Sequence, residues 1–230
     1  MPEIAIVAAL EREVRPLVKH WRVSEKEYDG RRFRFFENDR AVLVCGGMGP
    51  EAARRAAEAI LAFYRPRVVY SAGYAGALEA GLRVGEILSP ARVIDASDGS
   101  SVAIPGGNSV LISCGHVATP EQKSRLWEAY GAQAVDMEAA KVARAAEARN
   151  VAFKAMKVIS DESDFKFPDT ERFVDAQGRF REVRFALFAA LRPWLWFPVI
   201  RLARNSHRAA RLLCAQLSEI CADQPRTASG

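Results

Sequence analysis

The sequence predicts an α/β protein, and three observations carry that expectation. Its 230 residues, half of them hydrophobic, are enough to bury one sizeable core and point to a single domain. Short apolar runs of strand length alternate with helically periodic segments through about residue 160, the pattern of a central sheet covered by helices. Several of those runs end in glycines or acids just where a helix begins, and open α/β sheets build their sites at such strand exits. The composition excludes a disordered or collagen-like chain, and no internal repeat is apparent.

The elements follow in order. Ile4 to Ala9 is a short buried strand, and it passes into LEREVRPLVKHW, where Leu10, Val14, Leu17 and Trp21 recur at helical spacing. RRFRFFEND and RAVLVCGGMG read as two strands about an Asn-Asp turn, the second ending in glycines. An alanine-rich helix spans about Pro50 to Phe63, with proline near its start, where a missing N–H is harmless. RVVYSAGYAGAL repeats the strand-to-glycine pattern. VGEILSPARVIDA adds strand character before a polar turn over Asp98 to Asn108. After a strand from Val110 to Cys114, Thr119 caps and Pro120 opens a helix that reaches Tyr130. AVDMEAAKVARAAEARN is an alanine-rich helix entered from a short extended piece, and VAFKAMKVIS is the strand after it. Beyond residue 165 comes FALFAALRPWLWFPVIRLARNSHRAARLL, in which Pro193 and Pro198 are expected to prevent one straight helix.

The net charge of +5 is local. Eight arginines (Arg179, Arg181, Arg184, Arg192, Arg201, Arg204, Arg208, Arg211) face one acid, Glu182, between 179 and 211, so the rest of the chain is slightly negative. Basicity confined to the tail argues against nucleic acid as the main partner. Cys45, Cys114, Cys214 and Cys221 form no CxxC pair and have no zinc-like histidine spacing, which reads as free, mostly buried thiols and no metal. MPEIAIVAAL places an acid before its apolar run, the reverse of a secretory signal, and no segment offers about 18 uninterrupted apolar residues. Cytoplasmic residence is the expectation.

Four strand exits carry chemistry. Glu11 and Glu13 follow the first strand, where acids also simply complement a helix dipole. Gly46, Gly47 and Gly49 precede the second helix and let an anion or ribose approach the backbone, without forming a dinucleotide fingerprint. Gly73 and Gly76 flank Tyr74 in a third exit. Asp136, Met137 and Glu138 stand at the entrance of an apolar helix, hard to justify as packing, and Asp161 ends an apolar strand, as a cap or a functional acid.

Taken in order, IAIVAALEREV, CGGMG, SAGYAGALEAGLRVGEIL, AVDMEAAKVA and VISDESD resemble the methylthioadenosine and adenosylhomocysteine nucleosidases of the nucleoside phosphorylase superfamily, over residues 3 to 165. That resemblance implies a three-layer fold with a central mixed sheet and flanking helices, with 1–165 as the catalytic body. It implies that Glu138 holds the ribose hydroxyls with Met137 against the sugar, that Asp161 protonates the departing purine at N7, and that Glu13 orients and deprotonates a water. Gly47, Gly49, Gly73 and Tyr74 complete the expected substrate contacts. Cofactors are not implied, and a homo-oligomer is. These roles suit a reaction that puts positive charge on the sugar and negative charge on the base.

The chain departs from that family twice. The stretch between VGEIL and AVDMEAA is short, with no aromatic between Tyr74 and Trp127 to stack on a base; Val117 and Ala118 lie nearest the expected place, and Tyr74 stands where the nucleosidases carry a small residue. The tail, 166–230, is long, and combines Phe185, Leu187, Phe188, Leu191, Trp194, Leu195, Trp196, Phe197, Val199 and Ile200 with arginines, a composition suited either to packing or to a membrane surface over 185–211. Both departures are similar to the hopanoid-associated branch of the superfamily, which implies adenosylhopane as substrate, adenine as leaving base and peripheral contact with the inner face of a membrane. A soluble methylthioadenosine or adenosylhomocysteine nucleosidase, a purine nucleoside phosphorylase, and a non-catalytic nucleoside-binding or membrane-associated protein are the alternatives. Water and phosphate are both open as nucleophile, Glu13 favouring water and Arg12, Arg15 or Arg83 phosphate should they enter the pocket.

Overall fold

A computed structural model describes residues 2–166 and 192–222, with 173, 175, 178, 181, 184, 185 and 188 between them; for 193–195 and 198 only the backbone is described. Arg179, Glu182, Leu187, Leu191 and the side chains of Trp194 and Leu195 lie outside the described residues.

One mixed sheet of eleven strands forms the middle layer, in the order β2 (Arg22–Tyr28), β3 (Arg31–Glu37), β4 (Ala41–Cys45), β1 (Ile4–Ala8), β5 (Val68–Ala77), β10 (Ala134–Asp136), β9 (Ser109–Ser113), β7 (Pro90–Asp95), β8 (Ser101–Ala103). β11 (Ala152–Asp161) runs parallel to β5 and carries the short β6 (Ile87–Leu88) on its other edge. Strict alternation along β1 divides the core. Ala5 and Val7 face α2 (Pro50–Tyr64) and α4 (Ala139–Glu147) through Ala53, Ala57, Ile60 and Val142. Ile4, Ile6 and Ala8 face α1 (Glu11–Val18) and α5 (Pro193–Ala222) through Val14, Val18, Leu213 and Leu217. Sheet faces covered on both sides explain why the central strands read as continuous apolar runs. α3 (Pro120–Tyr130) packs at the β9–β10 end through Leu126 and Tyr130.

Three expectations are corrected. The first helix stops at Val18 rather than Trp21, and RVSEKEY forms β2, an edge strand whose charged, half-exposed residues carry little apolar pattern. Its signal is the Asp29-Gly30 pair, both at positive φ (49° and 68°), which closes a two-residue hairpin onto β3. Inside the expected polar turn, Ser101–Ala103 pairs with β7 as β8. The tail prolines do not break the helix. They occupy the first and sixth positions of α5, where the first N–H has no helical partner and the second forfeits a single bond, and the remaining turns continue to Ala222. Among the described residues no helix is long and apolar enough to cross a membrane.

Candidate active site

β5 organises the site. Along one edge it pairs with β11; on the other it pairs with β1 at residues 68–71 and with β10 at 76–77. The partner strand changes across Ala72 to Ala75, and a crevice opens there, as open sheets do where strand order switches. A cavity of about 800 Å³ fills that crevice, bounded by the ends of β1, β5, β10 and β11 and roofed by α1 and α5.

Three carboxylates, Glu13, Asp136 and Glu138, line its floor, and one lysine is buried against them. Lys157, in mid-β11 and 1 % exposed, donates to Asp136 Oδ2 at 2.8 Å. Asp136 also accepts from the Ala139 amide at 2.9 Å and from Ser113 Oγ, so it caps α4 and anchors the lysine. Glu138, just before α4, makes no cap bond to that helix and instead accepts from the Gly49 amide at 2.9 Å and the Met137 amide at 3.2 Å. Glu13 projects from the first turn of α1 and is 4 % exposed; its Oε2 is buried and, among the described residues, accepts no hydrogen bond. Glu11, two residues earlier, points outward to Arg34 at 3.3 Å. Gly73 makes room for this meeting: a Cβ there would stand 2.7 Å from Glu13 Oε2 and 3.9 Å from Lys157 Nζ.

One ammonium does not balance three carboxylates in a buried site. Burial first, and Glu138 second, push Glu13 up to about 8, against smaller opposing pulls from Lys157 and Arg12. Glu138 is likewise raised, by burial and then by Asp136, against Lys157 and its two amides. Burial alone would lower the Lys157 ammonium, but Asp136, Glu138 and Glu13 together hold it above its usual range.

A second pair lies across the cavity. A bulge at the end of β11, where Ile159 opposes Ala75 but Asp161 opposes Gly76, turns Asp161 into the wall. Asp161 Oδ2 accepts from Lys123 Nζ at 2.5 Å, and its Oδ1 from Ser160 Oγ at 2.6 Å. The roof is mixed. Leu10, just before α1, and Pro16 in it line the cavity with Val199, Leu202, Ala203 and Ala210 of α5, together with Arg12, Arg15 and Lys19 and with Ser206 and His207 of α5. Tyr74 crosses beneath and donates to the Ser206 carbonyl at 2.8 Å, and Cys214 Sγ donates to the Glu13 carbonyl at 3.4 Å, so α5 is tied to both walls.

The cavity thus brings together Glu13, Met137, Glu138, Gly73, Tyr74 and Asp161, with Val117 and Ala118 also on its wall. Gly47 and Gly49 do not line it; Met48 between them does. Their amides are engaged, Gly47 to the Ala9 carbonyl and Gly49 to Glu138, so the anion this loop receives is a side chain of the protein. Arg83 stays outside. Phe185, for which packing and a membrane surface were both open, is buried in the cavity wall with its ring 5.4 Å from Phe173. Lys123 and Lys157 escaped the sequence reading: Lys157 was visible as a cation inside an apolar strand, whereas Lys123 looks like any lysine on a solvated helix. Among the described residues no three His, Cys, Asp or Glu side chains are disposed to hold a metal ion.

The phosphorylase superfamily matches residues 3–110 and 108–191 of this chain. Among solved structures it is similar to a 5′-methylthioadenosine/S-adenosylhomocysteine nucleosidase from Neisseria meningitidis in complex with methylthio-immucillin-A, at 18% identity and a TM-score of 0.70, covering 96% of this chain and 98% of that one. It is also similar to futalosine hydrolase of Helicobacter pylori, at 18% identity and a TM-score of 0.67, covering 95% and 98%. The Helicobacter pylori 5′-methylthioadenosine/S-adenosylhomocysteine nucleosidase with butyl-thio-DADMe-Immucillin-A matches at 18% identity and a TM-score of 0.66, covering 95% and 99%.

Proposed function

We propose that this chain, which belongs to the phosphorylase superfamily, cleaves the N-glycosidic bond of a 5′-substituted adenosine by hydrolysis and releases adenine. The observation that carries this reading is Glu13: a buried carboxylate, its Oε2 without a donor among the described residues, facing a cavity whose opposite wall holds the Asp161–Lys123 pair. The two ends suit the two halves of the reaction. At the sugar end, Glu138, braced by two amides, accepts from the ribose hydroxyls while Met137 packs on the ring, and ionised Glu13 would favour the cation that develops at C1′. Glu13 takes the proton of the attacking water. At the base end, Asp161 with its lysine handles the proton that neutralises the purine at N7. A carboxylate this close to C1′ repels phosphate, which favours water; Arg12 and Arg15 on the cavity wall support the competing phosphorolytic reading.

The apolar side chains of Leu10, Pro16, Val199 and Leu202 on the cavity roof support a long apolar 5′ substituent, and adenosylhopane is the substrate we favour. Trp196, Phe197 and Ile200 are exposed on the same helix, Phe197 by 77%, beside the exposed Arg201, Arg204 and Arg208, which suits a peripheral membrane contact that delivers such a substrate. The test is adenine release by the purified protein from methylthioadenosine, adenosylhomocysteine and adenosylhopane in detergent, each with and without phosphate. Adenine is expected without phosphate and fastest from adenosylhopane. A strict phosphate requirement overturns hydrolysis, preference for methylthioadenosine overturns the lipid-linked substrate, and no adenine from any of the three overturns the glycosidic reading.

A further inference from the structure

Lys123 is buried in the cavity wall, 1 % exposed, on a helix whose start is set by the reciprocal capping of Thr119 and Gln122. Its Nζ donates to Asp161 Oδ2 at 2.5 Å and to the Glu162 carbonyl at 2.8 Å. Gly76 leaves the space for this arrangement: a Cβ there would stand 2.8 Å from Asp161 Oδ2 and 3.2 Å from Lys123 Nζ. Both oxygens of Asp161 therefore already accept hydrogen bonds, one from Lys123 and one from Ser160. Asp161 thus meets donors at both oxygens, and the Lys123 ammonium, with three N–H bonds, uses two on protein oxygens, so one N–H of the pair is left for a ligand. An apolar pair of similar volume would fill a core as well or better, so an ion pair kept in a cavity wall points to chemistry.

We propose that Lys123, rather than Asp161, delivers the proton to the departing purine, and that Asp161 positions the lysine. The inference rests on the glycosidic reading above. As the C1′–N9 bond breaks, its electron pair passes into the purine, and N7 takes a proton from Lys123 Nζ. The lysine is left as the neutral amine and the base leaves uncharged. Water bonds to C1′ and its proton passes to Glu13; after product release Glu13 returns that proton to solvent and Lys123 regains one from it.

Two substitutions separate the possibilities, assayed by adenine release from whichever nucleoside the wild-type protein cleaves fastest. Lys123→Arg keeps the charge and the ion pair but substitutes a guanidinium that does not give up its proton. Lys123→Met removes the cation and leaves Asp161 free to act as the acid. Both are expected to lower kcat by roughly 10²–10⁴-fold, with KM for the arginine variant within about threefold of wild type and its thermal midpoint unchanged. Recovery of kcat in Lys123→Arg would assign the lysine a purely electrostatic part. A Lys123→Met protein that keeps or gains activity would return the acid role to Asp161. A Lys123→Arg protein whose KM or melting point collapses together with kcat would show a structural role. Each of these overturns the proposal, and the arginine variant decides alone should the methionine variant not fold. Inactivity of the wild-type protein, in contrast, is failure of the glycosidic reading itself.

Discussion

Glu13 sits where an ionised carboxylate is unfavourable, and this has opposite consequences for stability and for catalysis. Its folded-state value is raised from 4.5 to about 8, so the neutral acid is favoured in the folded protein: its contribution to stability is fully present below the unfolded value and is lost as pH rises through about 8. In the proposed hydrolysis the base is the ionised form, so kcat/KM is expected to climb with pH and level off above about 8. Glu13→Gln tests both signs. The neutral amide removes the charge penalty, so thermal melts above pH 8 should show a variant more stable than wild type by on the order of a few kcal/mol, while steady-state assays show turnover reduced by roughly 10²–10⁴-fold. A stabilised but active variant would deny Glu13 its role. Asp136 shows why residue type alone did not sort the acids: it stands two residues from Glu138 in the same apolar stretch of sequence, yet its oxygens are taken up by Lys157, Ser113 and the Ala139 amide.

Helix α3 connects local stability to the site. Thr119 Oγ1 accepts from the Gln122 amide at 3.3 Å and Gln122 Oε1 accepts from the Thr119 amide at 2.8 Å, a reciprocal cap already legible in the string TPEQ. Lys123 belongs to the first turn so defined. Thr119→Ala is expected to cost about 1 kcal/mol in urea unfolding, and to lower kcat beyond what that loss explains, because a frayed start moves the lysine away from Asp161. Activity unchanged in a measurably destabilised variant would separate the cap from the site. The elements that escaped the sequence did so for physical reasons. β2 is an edge strand with one weakly buried face, so it lacks the alternation that marks β3, and α5 passes through Pro198 because a proline in the second turn of a thirty-residue helix removes only one of many hydrogen bonds.

Across the whole molecule, α5 has two halves with different surroundings. Ala209, Leu213, Leu217 and Cys221 are buried in the cluster that also holds β1 and α1, whereas Trp196, Phe197 and Ile200 are exposed near the roof of the cavity. Sedimentation with vesicles containing anionic lipid should pull down the wild-type protein at low salt and release it at high salt, and a Trp196→Ser, Phe197→Ser, Ile200→Ser variant should stay in the supernatant. The same variant is expected to retain turnover of a detergent-dispersed substrate. Vesicle binding unaffected by the triple change would remove the membrane role from this end of α5.

Much of the architecture was legible because burial on both faces of a sheet forces unbroken apolar runs, and those runs, with Pro50, Thr119 and Pro120 at helix starts, placed most strands and helices within a few residues. The carboxylates at strand exits were legible for the same reason, since Glu138 and Asp161 are conspicuous beside such apolar neighbours. What the tertiary structure alone decided is which charges meet. Lys123 and Asp161 are 38 residues apart and Lys157 and Asp136 lie on different strands, yet each pair is within hydrogen-bonding distance because β5 changes partners and opens the crevice between them. Pairing across such distances leaves no periodicity in the chain: a buried cation on a polar-looking helix differs from a solvated one only in what the fold brings opposite it.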